Sequence, residues 1–179
     1  RSLSDGTVKT VFGASYPTPL ISSTPITVPS LSNIVDVKAN SGNFYALTSS
    51  GQVYAWGDGG SMGTGVARDV TTLYMPTLIT FPAGAAPIKA IIPAKAGRSC
   101  FAIDENGVCY VWGYFWDDNP ANFAATPQVI ATNVRDVAAL GYSSYIYKND
   151  GTLWGLGSRT YMLNAVGSPA YTTPTQLTI

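Results

Sequence analysis

The 179-residue sequence contains no histidine. That removes the side chain most used as a general base near neutral pH and the commonest metal ligand. Charge is scarce too: Asp, Glu, Lys and Arg make up 11% of residues, under half the usual ~25%. Ten basic and ten acidic residues cancel, so no basic field exists for nucleic acid or anionic lipid. No apolar run approaches the ~20 residues of a membrane helix. The two cysteines, Cys100 and Cys109, form no Cys-x-x-Cys pair, and neither a phosphate-cradling loop nor metal-ligand spacing is present. Low charge with 46% hydrophobic residues excludes a disordered chain. The length suits one domain or part of a larger one. No signal peptide is visible, and a start at Arg1 without Met fits a processed or excised chain.

In place of charge stand Gly, Pro, Ser, Thr, Asn and Tyr. These residues favour turns and strands. The 18 Gly and 12 Pro leave no uninterrupted stretch with helical periodicity. Ala121 to Ala125 is the nearest approach, and Pro120 and Pro127 close it off. The chain reads as all-β.

Self-comparison exposes a repeat. Its copies are Gly51-Gln52-Val53-Tyr54-Ala55-Trp56-Gly57, Gly107-Val108-Cys109-Tyr110-Val111-Trp112-Gly113 and Gly151-Thr152-Leu153-Trp154-Gly155-Leu156-Gly157. A worn copy runs from Asp5 to Gly13. Apolar strand ends precede the turns at Tyr45-Ala46-Leu47, Phe101-Ala102-Ile103 and Tyr145-Ile146-Tyr147. Earlier still come apolar pairs: Ile34 and Val37, Ile88 and Ile91, Val134 and Val137. Pro-led segments close each copy, beginning at Pro25, Pro76, Pro127 and Pro174. Four β-segments per period of roughly 45–55 residues is the spacing of a propeller blade.

The glycines sit where a tight hairpin needs positive φ. After them the strand alternates: Val53, Ala55, Cys109 and Val111 are small, while Tyr54, Trp56, Tyr110 and Trp112 are bulky. A sheet apolar on both faces must be covered on both. Stacked blades do this when the bulky face of one fills the small face of the next. Trp56, Trp112 and Trp154 are therefore read as core, with Trp56 and Trp112 buried between blades.

Residues 25 to 57 carry the order Pro-x-x-Val…Ile-x-Asp-Val…Ala-Leu…Gly-x-Val-Tyr-x-Trp-Gly, and Gly60-Ser61-Met62-Gly63 follows. This resembles the repeat of the regulator of chromosome condensation family, over about three and a half copies. The resemblance implies an all-β propeller of four-stranded antiparallel blades, seven in complete members. About 3.5 blades are expected in one partial propeller over 1–179: a half-blade over 1–31 and blades over 32–86, 87–132 and 133–179. The half-blade's strands, 7–12 and 25–29, call for another chain or a missing segment to complete the propeller. Departures are visible. The family's usual His before the Ala-Leu strand is replaced by Asn43, Ser99 and Ser143. In the second copy Tyr114, Phe115, Trp116, Asp117 and Asp118 replace the glycine-rich loop.

Those five residues are the candidate ligand-binding site. Loop aromatics beside carboxylates offer flat apolar faces and strong acceptors, a combination suited to a sugar ring or a partner protein. The bland alternative is a loop folded back over a blade edge. Adjacent Asp117 and Asp118 do not give the separated pair that glycoside hydrolysis needs. Asp117-Asp118-Asn119 lacks the alternating ligands of a calcium loop. Asp104 and Glu105 read as solvated turn residues. If residue 103 pairs with 108, Cys100 and Cys109 are diagonal neighbours on one face, too poorly placed to bridge.

No catalytic residue, metal or cofactor is assigned. The expected function is a non-enzymatic module that recognises a protein or a cell-surface glycan through propeller loops. A surface poor in Lys and Glu and rich in Ser, Thr, Asn and Tyr suggests an extracellular or virion-surface setting, such as a tail fibre. The resemblance implies an alternative, a regulator of a small GTPase or chromatin-type scaffold. A polysaccharide-degrading enzyme is a further alternative.

Overall fold

The computed structural model describes residues 9–10, 26–28, 30–57, 61–66, 73–115, 120–158 and 170–177. They form one two-stranded and three four-stranded antiparallel sheets. β1 (Lys9–Thr10) pairs with β2 (Ile26–Thr27). The first blade is β3 (Ile34–Ala39), β4 (Asn43–Thr48), β5 (Val53–Gly57) and β6 (Leu73–Leu78). The second is β7 (Ile88–Pro93), β8 (Ser99–Asp104), β9 (Cys109–Tyr114) and β10 (Phe123–Ala131). The third is β11 (Val134–Leu140), β12 (Ser143–Lys148), β13 (Leu153–Gly157) and β14 (Tyr171–Gln176). Among the described residues the sole helical element is a 3-10 turn, Pro120–Asn122. No described helix is long and apolar enough to cross a membrane.

Strand order within each blade follows the sequence, and the first strands β3, β7 and β11 lie against one another. Two ends result. One carries the hairpins after the second strand and the connections between blades. The other carries the turns after the first strand and the loops after the third.

The hairpin glycines Gly51, Gly107 and Gly151 have φ of 79°, 76° and 83°. Each closes a loop in which the residue four places after the turn's first residue returns the bond: Thr48 N–H to Gln52 O, Asp104 N–H to Val108 O, Lys148 N–H to Thr152 O. This is the geometry of a three-residue hairpin loop ending in αL. It also corrects the expected register. Ile103 pairs with Cys109, not with residue 108, so Cys100 faces Trp112. A slip of one residue reverses the face of a side chain. Cys100 and Cys109 therefore point to opposite faces, each into a different core cluster, and both are free and buried.

The seams match the alternation in size. Val53 and Ala55 of the first blade pack with Tyr110 and Trp112 of the second. Cys109 and Val111 of the second pack with Ile146, Leu156 and half-buried Trp154 of the third. Trp112 is completely buried, edge-on to Tyr45 and Phe81. Trp56 departs from the expectation of burial. It is half-buried, stacked on Phe44 and packed at the edge of the cluster of Val28, Leu31, Ile34 and Ala46. Trp154, at the repeat position of Tyr54 and Tyr110, is half-buried as well. Its Nε1–H donates to Thr152 Oγ1 and the Lys148 ammonium lies 4.2 Å from the ring centre.

Asp104 corrects another expectation. It is buried, not solvated. Its carboxylate accepts from Val108 N–H (2.8 Å), Tyr110 O–H (3.1 Å) and Ala86 N–H (3.3 Å). Glu105 beside it is exposed.

Candidate functional site

The loop after β9 lies at the end of the molecule that also carries the turns after the first strands. Tyr114 closes β9 and is buried. Its N–H donates to Arg98 O, its ring packs 5.1 Å from that of Phe123, and the Arg98 guanidinium sits 5.8 Å from its centre. Tyr114 thus fixes the root of the loop rather than offering a free face. Phe115 is half-buried, and its N–H donates to Asn122 O. Trp116, Asp117 and Asp118 lie outside the described residues.

The preceding glycine loop is a lid over the blade seam. Met62 is buried beside Trp112, and Ser61 O accepts from Tyr45 O–H at 3.2 Å. Gly63, at φ 80°, lets the backbone approach the indole: a Cβ there would lie 2.8 Å from Trp112 Cδ1. Gly65 N–H then donates to Ala125 O of the second blade. The positions matching the family's His are interior. Asn43, Ser99 and Ser143 are all buried, and Ser143 Oγ–H donates to Ser158 O.

Two turns join the candidate loop at this end. Residues 94–98 of the second blade abut Gly141 of the third, with Lys95 N–H donating to Ala139 O and Gly97 set against Gly141 O. They display Lys95 and Arg98 beside Leu140, 58% exposed, and Tyr142, 39% exposed. The repeat reading named none of these four residues, because no sequence motif marks the turns after the first strands. Strand order alone puts those turns on the same end as the loops after the third strand.

Chemistry that needs an activated group is poorly served here. Burial pushes the Cys100 thiol well above its usual range and the Cys109 thiol up to about 12, with Asp104 adding to the latter. Burial and then the Asp104 hydrogen bond hold Tyr110 at about 12. All three stay protonated at neutral pH and face the core. Among the described residues no group of three His, Cys, Asp or Glu could hold a metal. At the hairpin end, a cleft of about 370 Å³ runs between the first two blades over Val53, Ile79, Phe81, Pro87 and Ile88. No carboxylate, cysteine or lysine lines it.

Residues 34–63 match the model of the regulator of chromosome condensation (RCC1) repeat. Residues 34–63 thus carry one RCC1 repeat. The match spans β3 to β5 and ends at Gly63, the residue that seats on Trp112. Human E3 ubiquitin-protein ligase HERC2 is 29% identical over 150 residues, covering 74% of this chain and 3% of the ligase. Prp20p from Saccharomyces cerevisiae superposes with a TM-score of 0.71 at 15% identity, covering 93% of this chain and 43% of Prp20p. Human WBSCR16 gives 0.73 at 19% identity, covering 98% and 49%. The chain spans under half the length of each of these relatives.

Proposed function

We propose that this chain is a non-enzymatic, protein-binding propeller segment that works through the loop end. The observation that carries this is the gathering of Lys95, Arg98, Leu140 and Tyr142 on abutting turns, beside the loop rooted by Tyr114 and Phe115. Arg and aromatics enriched over an apolar patch are the composition of a recognition surface. Two cations beside exposed apolar side chains suit a protein better than a sugar ring, since Tyr114 packs inward. Trp116, Asp117 and Asp118 follow directly in sequence and complete the proposed site. An extracellular or virion-surface setting rests on composition alone.

The second reading, a regulator of a small GTPase or a chromatin-type scaffold, is favoured by the likeness to Prp20p, whose structure was described with its binding to Gsp1p and histones. Immobilised chain is presented with Gsp1p, with core histones and with a panel of free glycans, and nucleotide exchange on Gsp1p is followed. Capture of a protein that Trp116→Ala and Arg98→Glu each weaken by about fivefold or more, with unchanged unfolding midpoints, supports the loop end as the site. Glycan capture alone, or release of sugar, defeats the protein-binding reading. Accelerated exchange selects the second reading.

A further inference from the structure

One hairpin position carries three different pairs: Ser50-Gly51, Asn106-Gly107 and Asp150-Gly151. In each, a side chain stands next to a glycine nitrogen. A serine hydroxyl offers that nitrogen no carbonyl carbon. The Asp150 carboxylate accepts from Thr152 Oγ–H at 2.6 Å and Thr152 N–H at 3.0 Å, and those bonds hold it below the ordinary carboxylate range. It is ionised at neutral pH and is a poor electrophile. Asn106 differs from both. Its carboxamide is neutral, exposed and bonded to no described residue. The following Gly107 has no Cβ to hinder approach to its nitrogen. This is the sole Asn-Gly pair in the sequence. Asn40 and Asn149 are restrained by comparison: Asn40 Oδ1 accepts from Asn43 N–H, and Asn149 Nδ2–H donates to Asn133 Oδ1, each at 3.1 Å.

Gly107 is also where this hairpin meets the third blade. Its N–H donates to Asp104 O at 3.0 Å, and its O accepts from the N–H of Val134, first residue of β11, at 2.9 Å. A Cβ on Gly107 would lie 3.2 Å from Val134 O and 3.4 Å from Val134 N, so the peptide has little room to turn. While both bonds stand, the Gly107 nitrogen is engaged and held away from Asn106 Cγ. Attack waits on an opening that frees Gly107 from Asp104 and from Val134.

We infer that Asn106-Gly107 is a spontaneous deamidation site, gated by the seam between the second and third blades. Asparagine is among the chemically labile residues. In the opened hairpin the Gly107 nitrogen loses its proton to water and bonds to Asn106 Cγ. The Cγ–Nδ2 bond breaks, the departing amine takes a proton back from water, and ammonia leaves behind a cyclic imide. Water then adds to either imide carbonyl, whose bond to nitrogen breaks, giving aspartate or isoaspartate. Water is the sole co-reactant, and nothing is oxidised or reduced. In isoaspartate the main chain runs through the former side chain, which adds a carbon between residues 106 and 107. That displaces Gly107 O from Val134 N–H and sets a new carboxylate beside exposed Glu105. The seam of the modified chain is therefore weaker, and the change is not reversed by reclosing.

The test holds the full 179-residue chain in mildly alkaline buffer and samples it over weeks. Ammonia release, ion exchange and labelling by an isoaspartyl methyltransferase are the readouts. The label should map to the peptide that holds Asn106, and Asn106→Gln should remove it. Chain unfolded in urea should react about tenfold faster than native chain, because the gate is gone. Val111→Ala loosens the seam against Ile146 and Leu156 without altering the hairpin, so it should raise the native rate by about threefold or more. If that variant does not fold, urea below the unfolding midpoint of the unaltered chain takes its place. The deamidated fraction, separated by ion exchange, should show faster amide exchange at Val134 and unchanged exchange at Ile88. A native rate equal to the unfolded rate, or one that neither Val111→Ala nor mild urea raises, overturns the gate. No label at Asn106 under any of these conditions overturns the site. Val134 exchange that the modification leaves unchanged overturns its effect on the seam.

Discussion

Trp112 and Trp56 hold the same place in consecutive repeats and different places in the core. Trp112 lies under the Ser61–Gly65 loop, between Tyr45 and Phe81. Truncation there leaves a cavity walled by strands on both sides, so Trp112→Ala should cost about 3–5 kcal/mol in urea unfolding. Trp56 already meets solvent beside Phe44, and Trp56→Ala should cost less than half as much. Equal losses would show that the two environments have been misjudged. Titration gives a second residue-scale expectation. Cys109 and Tyr110 have ordinary values of 9.0 and 10.0 and are both raised to about 12 in the fold. Each favours the folded state in its neutral form. Their contribution is full below about pH 9 and is lost as pH rises toward 12, at roughly tenfold in the folding constant per pH unit for each group. Urea midpoints should therefore fall steeply above pH 9, and Cys109→Ser should not flatten the part due to Tyr110. A midpoint flat to pH 11 would count against the burial of both groups. That the cysteines do not bridge was legible in the sequence, though on a register that the structure corrects. Which face each occupies was not, because it hung on one residue of hairpin length.

At the scale of elements, the hairpin of the second blade is held by a carboxylate where the first uses a hydroxyl. Thr48 Oγ1 accepts from Gln52 N–H, and Asp104 does the same for Val108 N–H while also binding Tyr110 and Ala86. Asp104→Ala strips three donors of their acceptor in a buried site and should cost about 3 kcal/mol or more. Thr48→Ala loses two neutral bonds, from Gln52 N–H and with Ser50 Oγ, but both partners are exposed and can turn to water, so it should cost about 1 kcal/mol. Chemical denaturation of the two variants side by side checks the order, and a smaller loss for Asp104→Ala would refute it. The first three strands of every blade were readable from apolar pairs and turn glycines. The fourth was readable only in its later half. Pro76 and Pro127 seemed to lead their strands, yet pairing begins earlier, at Leu73 with Gly57 and at Phe123 with Tyr114. The register breaks just where those prolines fall, which is how an outer strand tolerates a residue without an N–H. For the candidate loop, sequence marked the departure from the repeat but could not tell a packed Tyr114 from a displayed one. The companion turn residues Lys95, Arg98 and Tyr142 carry no motif, and only the antiparallel order places them beside the loop.

Among the described residues the main contacts between four-stranded sheets run from each to its neighbour in the chain, so stability is approximately a sum of blade and seam terms. The second blade has both seams filled. Every residue of β8 and β9 is buried, whereas β3, β11 and β12 mix buried with exposed positions. Opening that blade requires breaking both seams at once. Opening the third requires breaking one, since Tyr147 and Leu153 have no described blade beyond them. Native-state hydrogen exchange should therefore rank β8 and β9 slowest, near the global unfolding free energy, with β12 and β13 exchanging through a smaller opening. The ranking has a built-in control. Val111→Ala weakens the seam between the second and third blades, because Val111 packs with Ile146 and Leu156. It should accelerate exchange in β12 and β13 more than in β4 and β5. Equal acceleration in all three blades would mean that the row unfolds as one cooperative unit, and the sum of neighbour terms would fail as a description of this chain.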